Sequence, residues 1–301
     1  MSAELANLLT QRLGDRARFG QPMSSHTTWG VGGQAWCVCQ VHSAGEAAFV
    51  IEAATKADIP WMTLGRGSNL LVVDQGYQGV MLRLAGPLAR IRRVDANLLA
   101  EGGAFLPAVV KFAARLGLTG MEWAAGIPAT VGGAVATNAG AVGRDMSQVV
   151  EDLRLLMPGG RVEEHPASCF PTAYRRRQLP GGSLVLSANL SLVQDDPMEV
   201  QNRTEEMLNR RRRRQPQEQH TAGSVFKNPP GDFAGRLIEQ AGCKGLKIGD
   251  AMVSHHHANF IENLGRARAS DVMALMEKVK QRVQEKTGIE LEPEVEVVGF
   301  V

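Results

Sequence analysis

Long apolar runs are missing from this 301-residue sequence. No stretch approaches the roughly 18 consecutive apolar residues of a membrane-spanning helix. Charge of one sign is missing too: Lys and Arg number 33, Asp and Glu 31, a formal net charge of +2. That balance excludes a histone-like or polyacidic protein. Aromatic residues are scarce at 5%, which argues against a base-stacking RNA module. The four cysteines, Cys37, Cys39, Cys169 and Cys243, form no Cys-x-x-Cys pair and no zinc spacing. Cys37 and Cys39 lie two apart on an expected strand, so they share a face and read as small core residues. The segment from Met1 to Gly20 lacks the continuous apolar core of a signal peptide. A cytoplasmic, reduced protein with no resident metal is expected. Internal repeats and low-complexity tracts are also absent.

What is present is ordinary for a globular enzyme: 44% hydrophobic and 21% charged residues. At about 150 residues per domain the length suggests two domains, with one or three open. Strands are expected over residues 34–41, 61–64, 70–74 and 79–84, and a helix over 44–57 that ends before Pro60. A hairpin across Asp95-Ala96-Asn97 joins 90–94 to 98–101. Apolar spacing of three and four predicts a helix over 106–116 with Gly117 at its end. After a small-residue loop over 126–143, a second hairpin pairs 149–157 with 161–165, and a strand covers 183–193. Asp195-Asp196-Pro197 signals a helix that runs to Arg214 and stops before Pro216. A short helix over 233–241 ends at Gly242, and strands cover 251–253 and 259–261. Ser270 is expected to cap a helix running to Thr287 with Gly288 beyond it, and a last strand covers 291–301. This irregular mixture predicts α+β rather than a regular doubly wound sheet. The best domain boundary is the stretch 214–221.

Two loops are unusual. Gly65-Arg66-Gly67-Ser68-Asn69-Leu70 has glycines that permit positive φ and aim amides at an anion, with Ser68 and Asn69 as further donors. A strand follows it instead of a long helix, so it is no dinucleotide fingerprint; a plain turn is the alternative reading. Gly126-Ile127-Pro128-Ala129-Thr130-Val131-Gly132-Gly133-Ala134 continues to Asn138-Ala139-Gly140-Ala141 without the Lys of a P-loop. Side chains this small suit a tight sheet–helix contact or a flat ligand. Two such loops suggest one extended dinucleotide.

These segments, with Thr27-Thr28-Trp29-Gly30-Val31-Gly32-Gly33, Tyr174-Arg175, Ala222-Gly223-Ser224-Val225-Phe226-Lys227-Asn228-Pro229, His257-Ala258-Asn259-Phe260-Ile261 and Leu291-Glu292-Pro293-Glu294-Val295, resemble the UDP-N-acetylenolpyruvoylglucosamine reductase family. The match spans nearly the whole chain in the right order. The short loop before Ser224 resembles the family's compact second type. The resemblance implies a two-subdomain FAD-binding fold of the vanillyl-alcohol-oxidase type plus a smaller α+β substrate domain. The expected division is 1–85 and 86–213 for FAD and 214–301 for substrate. It further implies noncovalent FAD, NADPH as cosubstrate, and reduction of the enolpyruvyl ether of a UDP-sugar to UDP-N-acetylmuramate in peptidoglycan precursor synthesis. The enzyme is expected to act as a monomer, without nucleic acid or membrane. Gly65, Arg66, Gly67, Ser68, Asn69, Leu70, Gly126, Ile127, Pro128, Thr130, Gly132, Gly133, Asn138 and Gly140 are the expected FAD residues.

The chemistry can be argued beside the resemblance. Hydride addition at the β carbon of an α,β-unsaturated carboxylate leaves negative charge on the α carbon and the carboxylate. Such a site needs a cation on the carboxylate and a proton donor at the α carbon. A planar, always charged guanidinium suits the first task. By the resemblance it is Arg175, the donor is Ser224, and Glu294 polarises the enolic intermediate; Tyr174, Arg214, Lys227 and Asn228 would touch substrate. Taken singly, Arg175 in Arg175-Arg176-Arg177 reads as a solvated charge, Ser224 as a turn residue and Glu294 as an exposed strand position. The chain departs from the family pattern at Arg177, Leu179, Ala129 and Glu296. His255-His256-His257 is not expected to share a metal, because adjacent side chains on a strand point opposite ways. Arg210 to Arg214 complement the C-terminal end of a helix dipole. Two other readings stay open: an FAD oxidase of the same binding fold, and an RNA-binding protein using the arginine run.

Overall fold

The computed structural model describes residues 2–216 and 220–299. Met1, residues 217–219 of the expected linker and residues 300–301 of the expected last strand lie outside the described residues. Seven α-helices occur among the described residues: α1 (Ala3–Leu13), α2 (Ala44–Lys56), α3 (Leu106–Arg115), α4 (Val131–Ala136), α5 (Pro197–Arg214), α6 (Ala234–Gln240) and α7 (Ala269–Thr287). Helix α1 was not anticipated, although Leu5, Leu9 and Leu13 bury one stripe at intervals of four and Ser2 caps it by accepting from Leu5 N–H at 3.3 Å. Helix α4 lies within what reads in sequence as an irregular loop.

The largest sheet has five antiparallel strands in the order Val162–Pro166, Val150–Leu156, Leu184–Leu190, Asn97–Glu101 and Ile91–Val94. Asn97 pairs with Val94, so the expected three-residue turn is the two-residue turn Asp95-Ala96, with Asp95 at φ +52°. The expected strand over 183–193 is broken: Val193 and Gln194 leave it to pair with Thr119 and Leu118. A four-stranded sheet runs in the order Ala17–Pro22, Gln34–Val41, Tyr77–Leu84, Trp61–Thr63. Cys37 and Cys39 are buried side by side on it, sulfurs 3.6 Å apart and both free thiols. Asp196 accepts from the N–H groups of Met198 and Glu199 and so starts α5 with Pro197 in the first turn.

The chain divides into two compact units. Unit 1 comprises Met1–Phe19, Cys37–Gly65 and Gly79–Arg211; unit 2 comprises Gly20–Trp36, Arg66–Gln78 and Arg212–Val301. In unit 1, Arg16 binds the Glu46 carboxylate through two nitrogens at 2.6 and 2.8 Å. That pairing, against an opposing desolvation, holds the Glu46 carboxyl down at about 2. In unit 2, Trp29 is fully buried and its indole N–H donates to Ile261 O at 2.7 Å. A three-stranded sheet runs Lys247–Ile248, Ala251–Val253, Ile261–Asn263; the third strand lies two residues later than expected. The last strand is short, Glu296–Val298, and pairs in parallel with Leu70–Val72. Helix α7 starts at Ala269, not at a Ser270 cap. Asp74 accepts from the N–H groups of Ala269 and Ser270 at 2.8 and 3.1 Å, and Asp271 closes back on the Arg268 N–H.

Candidate functional site

Unit 1 holds a cleft lined by Thr63, Gly65, Gly103, Thr130, Gly133 and Ser183 among others. Glycine is needed here because chain segments meet closely. A Cβ on Gly65 would lie 2.8 Å from Thr130 Oγ1, so the two small-residue loops touch at these positions. Gly102 and Gly103 would each strike backbone carbonyls, at 2.2 and 2.4 Å. Thr130 caps α4 by accepting from Gly133 N–H at 3.3 Å. At Gly133 a Cβ would meet nothing nearer than Thr130 Oγ1 at 3.4 Å, so that surface stays low. Among the described residues Ser183 Oγ is buried and has no hydrogen-bond partner, an orphaned polar group that a bound molecule can satisfy. The donor set and the low walls fit an extended polar cofactor with a flat face. Gly102, Gly103 and Ser183 were not singled out from the sequence; the Gly102-Gly103 doublet after a hairpin was the available signal.

The rest of the second loop is held from several sides. Ile127 and Pro128 are half-buried, and Ile127 packs on the unit 1 core. Gly132 N–H donates to Gly102 O at 2.8 Å, and a Cβ there would sit 3.1 Å from the same oxygen, so Gly132 serves a tight backbone contact. Gly126, at φ +79°, is covered by Leu208 and Arg211 of α5, 3.0 and 3.1 Å from its would-be Cβ. Burial pushes the Arg211 guanidinium down to about 10, and among the described residues none of its nitrogens makes a hydrogen bond. Within the arginine run, Arg211 is therefore the desolvated cation beside this loop, while Arg214 ends α5 exposed to solvent.

Asn138 is buried at φ +43°, accepts from Ser147 N–H at 3.0 Å and donates to Ala173 O at 3.3 Å. It thereby joins the loop to the hairpin Thr172–Ala173 and Arg176–Arg177, whose tip is Tyr174-Arg175. Arg175 is held at φ +59°, a conformation costing a non-glycine residue roughly 1 kcal/mol or more. Its guanidinium lies 4.8 Å from the Tyr174 ring, and Gly140 leaves room for it: a Cβ there would be 3.3 Å from Arg175 Nη1. Arg177, by contrast, is buried and donates to Ala167 O at 2.9 Å; burial lowers its pKa. The structure thus brings Gly140, Asn138, Tyr174 and Arg175 together.

Unit 2 holds the other expected residues. Arg66 is exposed and Ser68 half-buried. Gly67, at φ +64°, is glycine because a Cβ would collide with His26 O at 2.2 Å, so the approaching backbone is that of residues 26 to 28. Asn69 Nδ2 donates to Glu294 O at 3.3 Å, and Glu296 N–H donates to Asn69 O at 2.9 Å. Leu70 is buried in the strand that pairs with Glu296. Glu294 N–H donates to Val225 O at 2.8 Å, which sets the Glu294 backbone beside Ser224. Lys227 is paired with Glu292, and Asn228 Oδ1 caps α6 by accepting from Ala234 N–H at 3.0 Å. A residue not anticipated, Asn259, grips this loop: Oδ1 accepts from Phe226 N–H at 2.9 Å and Nδ2 donates to Phe226 O at 2.8 Å. Burial lowers the pKa of His257, whose Nδ1 accepts from Asn259 N–H at 3.3 Å. Among the described residues no group of His, Cys, Asp and Glu could hold a metal ion.

Comparison with known proteins agrees with this geometry. The profile of an FAD binding domain matches residues 35–165, and that of the UDP-N-acetylenolpyruvoylglucosamine reductase C-terminal domain matches residues 215–298. UDP-N-acetylenolpyruvoylglucosamine reductase 2 of Symbiobacterium thermophilum is 43% identical over 94% of this chain and 92% of its own length. The reductase of Heliobacterium modesticaldum is 44% identical over 93% of this chain and 90% of its own. The crystal structure of the Thermus caldophilus reductase (MurB) matches with a TM-score of 0.82 at 39% identity, covering 94% of this chain and 99% of that one. The fold is accordingly the two-subdomain FAD-binding type with a smaller α+β domain. The chain belongs to the UDP-N-acetylenolpyruvoylglucosamine reductase family, whose members are FAD-containing oxidoreductases.

Proposed function

We propose that the protein reduces the enolpyruvyl ether of UDP-N-acetylglucosamine to the lactyl ether of UDP-N-acetylmuramate, with NADPH as reductant, in peptidoglycan precursor synthesis. FAD is held noncovalently and, when bound, supplies the hydride. Gly65, Thr130, Gly133 and Ser183 would line it, with Arg66 to Leu70, Gly126 to Pro128, Gly132, Asn138 and Gly140 as further contacts. Residues 1–85 and 86–213 are assigned to FAD and 214–301 to substrate. The protein acts as a cytoplasmic monomer; no helix of the described chain is long and apolar enough to cross a membrane.

The chain's own residues carry the acid–base work. Arg175 pairs with the substrate carboxylate and stabilises the charge that develops there. Ser224 delivers its hydroxyl proton to the α carbon, a basic centre strong enough to take it. Glu294 orients the enolic intermediate. Tyr174, Arg214, Lys227 and Asn228 contact the sugar nucleotide. One observation carries this reading: the Glu294 N–H to Val225 O bond and the Asn69 amide on Glu294 O tie the segments of Ser224, Glu294 and Asn69 into one locus.

Anaerobic stopped-flow absorbance of the purified yellow protein tests it. NADPH should bleach the flavin, and the enolpyruvyl UDP-sugar should restore the colour faster than oxygen does. Fast reoxidation by oxygen with no response to the UDP-sugar would replace this reading with the oxidase. A colourless protein that retains nucleic acid would replace it with the RNA-binding reading.

A further inference from the structure

Phe233 is the most exposed aromatic side chain of the described residues, at 67%. The chain has only 9 Phe, 4 Trp and 2 Tyr, and Phe233 stands well above the next exposed aromatics, Tyr174 at 49%, Phe105 at 40% and Phe19 at 37%. Its backbone is fixed on both sides: Phe233 N–H donates to Asp232 Oδ1 at 2.6 Å, and its carbonyl accepts from Leu237 N–H at 3.2 Å. Asp232 is further held by Arg236 Nε at 2.7 Å, and its N–H donates to Pro229 O at 3.2 Å. Pro229 and Pro230 restrict the approach to this turn. The ring is thus displayed from a rigid support and needs little ordering to accept a ligand.

It also belongs to the Ser224 loop. Asn228 Oδ1 accepts from Ala234 N–H at 3.0 Å, and Lys227 N–H donates to Glu292 O at 2.9 Å. The segment from Ser224 to α6 is therefore one braced piece, with Phe233 at its far end. The helix N-terminus itself is taken by Asn228. Among the described residues of unit 2 the other exposed large apolar side chain is Leu264, at a much lower 37%. A single ring without an apolar patch does not suit a protein partner, whose contact needs several hundred Å². It suits a small planar ring.

We propose that Phe233 is the stacking platform for the nucleobase of the UDP-sugar, a specificity-determining residue; this rests on the substrate class given under Proposed function. Stacking a base on an aromatic side chain has an alanine-scan value of roughly 5- to 150-fold in affinity. The test is isothermal titration of the oxidised holoenzyme with UDP and, separately, with inorganic pyrophosphate. Wild type, Phe233→Ala and Phe233→Trp are compared after their flavin content and thermal transition are shown to be equal. Phe233→Ala should bind UDP at least about fivefold more weakly, Phe233→Trp should bind it as wild type does, and pyrophosphate affinity should not move. Unchanged UDP affinity in Phe233→Ala, or an equal loss for UDP and pyrophosphate, overturns the assignment. A wild-type holoenzyme that does not bind UDP overturns the substrate class itself, and the stacking role with it.

Discussion

Asn259 exerts its influence on Ser224 through a backbone. Its side chain satisfies both the N–H and the carbonyl of Phe226, and its own carbonyl accepts from Val225 N–H at 2.9 Å. Asn259→Ala would leave buried backbone groups unpaired, at about 1–3 kcal/mol. The thermal midpoint should fall, and reoxidation of the reduced flavin by the UDP-sugar should slow more than flavin reduction by NADPH; stopped-flow absorbance reads both. Under the proposed function, Ser224→Ala would remove the proton donor and nothing that the NADPH step requires. It should leave that step intact and slow reoxidation by roughly 10²–10⁴-fold. Equal slowing of the two steps would move the donor role to a water or to Glu294. At this scale the sequence names types and order well but misreads reasons. Gly67 is legible as indispensable, yet its cause is the His26 carbonyl 2.2 Å away. A Gly67→Val variant would thus report chain packing and not phosphate approach. Asn259 lies within a motif quoted for the resemblance, but its partner, 33 residues away, is set by the fold.

Elements with local signals were legible in the sequence. Helix α5 starts at its Asp-Pro signal, and α7 ends at Gly288 in the left-handed region, at φ 72°. Elements stabilised from a distance were not. Helix α4 contains Gly132 and Gly133, poor helix formers, and persists because it packs on Leu184–Leu190. Helix α7 takes its cap from Asp74, 195 residues before Ala269, so Ser270 was the wrong local choice. Asp74→Ala should cost about 1 kcal/mol by urea unfolding at neutral pH. The pH dependence has a definite sign. Desolvation raises the Asp74 carboxyl, but the hydrogen bonds from Ser270 and Ala269 outweigh it and its folded value lies below the usual 3.8. The cap's charge-dependent contribution is therefore fully present above that value and fades as pH falls through the lower folded one. The gap between wild type and Asp74→Ala should be constant near neutrality and narrow in acid; a gap that widens in acid would assign the effect elsewhere.

On the scale of the whole chain, composition points to a boundary near residue 214, and one compact unit does begin its last segment at Arg212. No local signal reveals that this unit also owns Gly20–Trp36 and Arg66–Gln78, because ownership is decided by contacts made across 195 residues and more. Those segments supply interior parts. Trp29 is fully buried, donates to Ile261 O and accepts from Asn263 Nδ2 at 2.9 Å. Leu71 is fully buried in the strand that pairs with Glu296–Val298, and Asp74 caps α7. Removing one large buried side chain costs about 3–5 kcal/mol, and a domain has only about 5–15 kcal/mol in total. Losing Trp29, the Leu70–Val72 strand and the Asp74 cap together takes up most of that margin. A fragment of residues 214–301, though nearly coextensive with the matched C-terminal family profile, should therefore show no cooperative thermal transition and poorly dispersed amide resonances. Grafting residues 20–36 and 66–78 onto it through flexible linkers should restore dispersion. A 214–301 fragment that unfolds cooperatively on its own would mean that its own core suffices and that the two early segments are accessories to it.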